Sequence, residues 1–206
     1  MSADLDPDAA LMLRVKRGDM AAFTALVEKY KQPVTNLVAR TLRDETEAED
    51  VAQNVFIQVH KSAARYKVTA KFTTWLFTIA RNLCLNELRR RARHPAESLE
   101  AGFPTEGGDE LPARQFEDHR TASPTDALLH GELEEKVRNA VAALPETQRT
   151  ALALCRQEEL SYEDIARVLG CSLSATKSLI HRARETLKER LKPYLRTGEW
   201  AAPAKK

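Results

Sequence analysis

Apolar residues recur at intervals of three and four along most of this chain, and no stretch alternates as a half-buried strand would. The pattern predicts an all-α protein with helices over 8–17, 19–29, 32–42, 46–64, 72–92, 128–143, 146–156, 162–169 and 173–191. The helix over 72–92 carries two lines of residues. Phe72, Leu76, Ile79 and Leu83 make a core-facing stripe, while Trp75, Thr78, Asn82, Asn86, Arg89 and Arg93 make a second line about 80° away at 100° per residue. A solvated helix face prefers mixed Glu and Lys, so an aromatic, two amides and a run of arginines ask for another explanation.

The helical pattern lapses over residues 95–126, "PAESLEAGFPTEGGDELPARQFEDHRTASPTD". This stretch holds four of the nine prolines, three of the seven glycines and a net charge of −6. Such a composition buries too little apolar surface to offset its ordering entropy, which predicts a flexible acidic linker. The expected organisation is a helical domain over 1–94, the linker, a second helical domain over 127–196, and a frayed tail over 197–206.

Charge sharpens this division. The overall balance is only +2, yet residues 81–93 carry five Arg against one Glu, and 172–192 carry six Lys/Arg against two Glu. Two basic patches separated by an acidic segment suit a polyanion held at two places, although single charge runs are often just solvated faces. The amino terminus "MSADLDPDAA" lacks the apolar core of a secretory signal, and no run approaches the ~18 apolar residues of a membrane span, so a cytoplasmic protein is expected. Cys84, Cys155 and Cys171 are far apart and form no CxxC, which fits reduced thiols.

The segment "LSYEDIARVLGCSLSATKSLIHRARETLKERL", 160–191, has the form of a helix-turn-helix. Ser161 and Asp164 are spaced for a capping box, Gly170 sits at the turn, and Ser172 or Ser174 can cap the next helix. On that second helix Thr176, Leu179, Ile180, Ala183 and Leu187 face one way, and Lys177, Ser178, His181, Arg182 and Lys188 roughly the other. Short polar and long basic side chains near the start of such a helix are what major-groove reading requires. Upstream, "LPETQR" opens another helix with Pro145, and Arg149 is placed there either to hold a phosphate or to form a surface salt bridge.

"DETEAEDVAQNVFIQVH", 44–60, crowds five carboxylates into seven residues at a helix start. They complement the helix dipole, and as an acidic surface they could meet a protein but not DNA. Val51, Val55 and Val59 are expected to pack inward, with Phe56 beside them.

Taken in order, "AEDVAQNVF", "FTTWLFTIARNLCLNELRRR", "LPETQR" and "YEDIARVLGCSLSATKSLIHRARETL" resemble a bacterial RNA polymerase sigma factor of the extracytoplasmic-function group. The likeness covers nearly the whole chain except the linker and both tails. It implies that Asp50, Gln53 and Phe56 serve docking on the clamp helices of the polymerase β′ subunit, Phe56 either in contact or only supporting the helix, within a core enzyme whose β subunit is a further partner. It implies that Trp75, Asn82 and Asn86 capture the non-template strand of the −10 element, with Arg89 and Arg90 on its backbone. Lys177, Ser178, His181 and Arg182 then match positions that read the −35 duplex, joined by Arg149, and the linker is expected to thread toward the RNA path. An anti-sigma partner is common in the group. Two positions depart from the family pattern: Asn54 stands where Glu is usual, and Asn86 where many members have Asp.

The resemblance gives the second line of the 72–92 helix a physical purpose. Bases exposed by promoter opening can stack on an aromatic and bond to amides, and stacking is worth about 1–3 kcal/mol per base. Trp75 can stack or buttress such a pocket. No catalytic constellation competes with this reading: the five histidines are scattered, and HExxH, phosphate-loop and nucleophile-elbow motifs are absent, so neither metal nor cofactor is implied. The alternative is a self-sufficient helix-turn-helix regulator with an amino-terminal ligand or dimerisation domain, which would have no need of both an acidic helix and an Asn/Arg face. A purely structural adaptor would not need a sorted recognition helix.

Overall fold

The computed structural model describes residues 6–93, 124–157 and 160–197, and within them contains eight α-helices, one 3-10 turn and no strand. The helices are α1 (Pro7–Val15), α2 (Met20–Leu42), α3 (Glu45–Ser62), α4 (Phe72–Arg93), α5 (Pro124–Ala142), α6 (Glu146–Cys155), α7 (Tyr162–Leu169) and α8 (Leu173–Thr197). Much of the acidic segment and the tail beyond 197, including the expected path of the linker, lie outside the described residues.

The starts of the first three helices follow from their caps. Asp6, Asp19 and Asp44 accept hydrogen bonds from the backbone N–H groups of Asp8, Ala22 and Glu47, at 3.1, 3.0 and 3.0 Å. Asp6 also accepts from the Phe72 N–H at 2.8 Å, so one carboxylate serves the starts of α1 and α4.

Two expected helices, 19–29 and 32–42, are one. Pro33 removes a donor from the ladder, yet Leu26, Tyr30, Val34, Leu37, Val38 and Thr41 form a buried stripe on both sides of it. Packing of that stripe overrides the local preference. The helix ends at Arg43, a left-handed residue (φ 59°) whose N–H reaches the Ala39 carbonyl at 2.8 Å.

Two inward faces also differ from expectation. On α3 the buried residues are Ala48, Ala52, Val55, Phe56 and Val59, with Val51 only half-buried. On α4 burial extends to Thr73, Thr74, Phe77, Ala80 and Cys84, while Ile79 and Leu83 lie at the margin. The reason is that α4 is covered from more than one side, by α2, α3 and α7. Burial of Cys84 pushes its thiol up to about 12, which makes it an inert packing group.

The linker boundary also moves. Residues 124–126 belong to α5, with Pro124 at its first position. At the far end α8 reaches Thr197, beyond the expected 191. The two halves pack directly: α6 lies against α2, α7 lies against α4, and their buried residues form one continuous core.

Candidate nucleic-acid and polymerase interfaces

The helix-turn-helix is built as its sequence suggests. Ser161 Oγ accepts from the Asp164 N–H at 3.1 Å, and Asp164 returns the bond by accepting from the Ser161 N–H at 3.2 Å. Ile165, Val168 and Leu169 are buried, and Gly170 adopts the left-handed conformation (φ 64°) that ends α7. Ser172 Oγ accepts from the Ala175 N–H at 3.1 Å and so caps α8. Thr176, Ile180 and Ala183 face the core, and Lys177, Ser178, His181 and Arg182 are exposed together over the first turns of α8.

On α4 the second line of residues is likewise outside. Asn82, Asn86 and Arg89 are exposed. Trp75 is half-buried, its ring edge-on to Tyr66 with centroids 4.9 Å apart and tilted against Phe72 at 6.0 Å. Those contacts hold the ring in place while leaving it half-buried. Burial, with Asp6 nearby, raises the Tyr66 hydroxyl to about 12.

The arginines after Asn86 do not all serve one purpose. Arg90 makes a two-pronged contact with Glu87, 2.9 Å on each side, and lies 3.5 Å from Glu47. Arg91, which sequence reasoning passed over, joins three carboxylates: Asp44 at 3.1 Å, Glu87 at 3.2 Å and Glu47. The Arg90 hydrogen bonds, seconded by Arg91, hold the Glu87 carboxyl below its ordinary range. The network ties the end of α4 to the start of α3, so two of the five crowded acids are structural.

The remaining carboxylates of that start are free to meet a partner. Glu45, Glu49, Asp50 and Gln53 are exposed, as is Asn54. Phe56 is only 8% exposed and packs in the core beside Val55 and Val59, so of its two expected roles the structure favours support of α3. A groove of about 320 Å³ between α3 and α4 is lined by Asn54, Ile57, Gln58, Asn86 and Arg90, among others. The two positions that depart from the family pattern therefore face one groove. Ile57, half-exposed in it, carried no sequence signal because a single apolar residue on a solvated face is ordinary.

Arg149 is also not where a phosphate contact requires it. It is 4% exposed and donates to the carbonyls of Leu144 at 2.7 Å, Thr41 at 3.0 Å and Ala142 at 3.2 Å. Its charge stitches α6 to α2. A second tie joins α7 to α4: Thr74 donates to Asp164 at 3.1 Å, and Lys71 lies 3.6 Å from the same carboxylate. Neither tie was legible in the sequence, because the partners are about a hundred positions apart and include backbone carbonyls.

A helix-turn-helix with a sorted recognition face, packed on a helix that presents paired amides beside arginine, defines a two-part helical DNA-binding protein. Comparison with known proteins makes this specific. The family model for sigma-70 region 2 matches residues 26–94, and that for sigma-70 region 4 matches residues 134–187. RNA polymerase sigma-H factor of Pseudomonas aeruginosa is 40% identical over 195 residues, 93% of this chain and 97% of that protein. The ECF RNA polymerase sigma-E factors of Haemophilus influenzae and Escherichia coli are 34% and 32% identical, over 91% and 92% of this chain and 97% and 96% of theirs.

Among solved structures, CnrH in complex with the cytosolic domain of CnrY shares the fold with a TM-score of 0.63 at 22% identity, covering 91% of this chain and 99% of that one. The sigma factor RpoE bound to the anti-sigma factor NepR, from Bartonella quintana, gives 0.62 at 24% identity, covering 82% and 96%. The chain belongs to the sigma-70 family, within its extracytoplasmic-function group. It is a sigma factor, which binds core RNA polymerase and directs promoter-specific initiation.

Proposed function

We propose that the exposed start of α3, chiefly Asp50 and Gln53, docks on the clamp helices of the polymerase β′ subunit, with Phe56 holding that helix from beneath. Asn82 and Asn86 capture an unpaired base of the −10 non-template strand, Trp75 walls the pocket, and Arg89 holds the backbone. Arg90 adds charge to that grip while paired with Glu87. Lys177, Ser178, His181 and Arg182 read the −35 duplex, and Arg149 joins them at a phosphate only when α6 leaves α2. The promoter-melting unit then runs from the amino terminus through α4, and the duplex-reading unit from α5 through α8.

The observation that carries the −10 assignment is the joint exposure of Asn82 and Asn86, one helical turn apart on the Trp75 side of α4. Amide edges can bond to a base at about 1–3 kcal/mol, comparable with the few kcal/mol lost when a base leaves the duplex. Chemistry belongs to the polymerase, and the chain works in the cytoplasm with its template. By likeness to the solved complex with NepR, an anti-sigma factor restrains it. The test is transcription from a pre-melted bubble template by holoenzyme carrying Asn82→Ala or Asn86→Ala. Recognition predicts lost discrimination at one −10 position even on the bubble. Full rescue of wild-type selectivity by the bubble would move both residues to strand separation.

A further inference from the structure

Between Tyr66 and Phe72 runs a loop, 67–71, on which Lys67, Val68, Thr69 and Lys71 are exposed. It begins and ends at the two rings that hold Trp75, Tyr66 at 4.9 Å and Phe72 at 6.0 Å. A shift at either end therefore moves the wall of the −10 pocket. The loop's own sequence does little to fix those ends. Neither Ala70 nor Lys71 carries a side-chain acceptor, so the residues just before α4 cannot cap its first N–H groups.

Both ends are held by α1 instead. Asp6 accepts from the Phe72 N–H at 2.8 Å, and Lys16 Nζ donates to the Tyr66 carbonyl at 2.9 Å. Each bond has one charged partner, which makes it stronger than a neutral pair. The two anchors sit at opposite ends of α1: Asp6 is its N-cap and Lys16 its C-cap. A helix of nine residues is a stiff strut of about 14 Å, so α1 sets how far apart the loop's ends stand. The strut is itself firmly seated. Ala9 and Met12 are fully buried, and Asp8, also buried, accepts from the Tyr30 hydroxyl and from Lys29 Nζ, each at 2.5 Å.

We infer that Asp6 and Lys16 are positioning residues for −10 capture: α1 spaces the ends of the 67–71 loop and so presets the Trp75 wall for the unpaired base. The inference rests on the reading that the Trp75 side of α4 captures that base. Neither residue touches the strand; each acts through the loop. A pocket held in shape before the strand arrives spares capture an ordering cost and sharpens its selectivity.

The test separates the strut from the stability of its helix. Asp6→Asn keeps a good N-cap for α1 but has one side-chain oxygen where Asp6 uses both, which leaves the Phe72 N–H without its acceptor. Lys16→Met keeps the apolar stem and removes the donor to Tyr66, and Lys16→Arg restores a donor. Holoenzymes carrying each variant are compared on pre-melted bubbles with a randomised −10 strand and on duplexes with a randomised −35 hexamer. Asp6→Asn and Lys16→Met should each lose discrimination about fivefold at one −10 position on the bubble, with Lys16→Arg near wild type. Selection at −35 and binding to core polymerase should not change. Amide exchange at Phe72 should quicken in Asp6→Asn and not in Lys16→Met. Wild-type −10 preferences in both variants, equal losses at −10 and −35, or unchanged exchange at Phe72 would overturn the proposal. Asn82→Ala and Asn86→Ala, run in parallel, keep the two readings apart. Discrimination lost with the amides but kept in the α1 variants overturns the strut alone; the reverse supports the strut and overturns the amide assignment.

Discussion

Thr74, in the first turn of α4, donates its hydroxyl to the carboxylate of Asp164 in the first turn of α7, at 3.1 Å and with both side chains buried. One carboxylate thus completes the capping box of the helix-turn-helix and fastens that motif to the helix assigned to −10 capture. At the other end of the junction Arg149 fastens α6 to α2 through the Thr41 carbonyl. The two ties hold α7 against α4 and α6 against α2.

Asp164 makes this junction pH-dependent. Burial pushes its carboxyl up, but hydrogen bonds from Ser161 and Thr74 and the Lys71 charge outweigh that and leave it below its ordinary 3.8. A depressed carboxyl contributes stability that is complete above its unfolded value and is lost as pH falls through the folded one. Asp164→Asn should therefore lower stability by about 1–2 kcal/mol near neutrality, through the cap and the lost charge. The gap between wild type and variant should close below pH 4, as followed by thermal melts across pH.

Arg149→Ala removes the donor for the Leu144 and Thr41 carbonyls in buried hydrogen bonds, while the Ala142 carbonyl keeps its bond from Arg43. Unsatisfied buried groups cost about 1–3 kcal/mol, so a loss of that size is expected in denaturant unfolding. The same variant should expand in solution scattering as α6 leaves α2. A variant of unchanged stability and dimensions that binds −35 duplex more weakly would return Arg149 to the role of a standing phosphate contact.

On the recognition helix, replacing Lys177, His181 or Arg182 by Ala should cost about 1–3 kcal/mol in binding and relax preference at one −35 position. The comparison is promoter selection by holoenzyme over a randomised −35 hexamer. Uniform weakening across all sequences would make these side chains phosphate contacts.

Arg91→Ala should loosen the α3–α4 pairing. Its guanidinium links Asp44, Glu47 and Glu87 while only 22% exposed, and a partly buried network of this kind exceeds the 0–1 kcal/mol of a surface pair. A loss of about 1–3 kcal/mol is expected, reduced less by salt than a surface pair would be. The measurement is urea unfolding at low and high ionic strength.

What could be read from the chain alone follows the range of the interactions. Ser161, Asp164, Gly170 and Ser172 act within a few residues of themselves, so the helix-turn-helix was legible, and its outward residues with it. Asn82 and Asn86 followed from helical periodicity. Pro33 misled because its local effect is strong and the burial of Tyr30 and Val34 around it is tertiary. Arg149 misled because a charged residue near a helix start ordinarily meets solvent, and its partners are three carbonyls, from α2, the end of α5 and the turn before α6. Arg90 and Arg91 are adjacent and chemically identical, and only the placement of Glu47 and Asp44 separates their roles.

The central claim is that this chain reads promoters as part of RNA polymerase. The direct measurement is promoter binding and run-off transcription with the chain alone, core polymerase alone, and the two together. The account predicts weak, unselective duplex binding by the free chain and a promoter-specific transcript only from the combination. Tight sequence-specific binding by the free chain, with no transcript added by core polymerase, would contradict it.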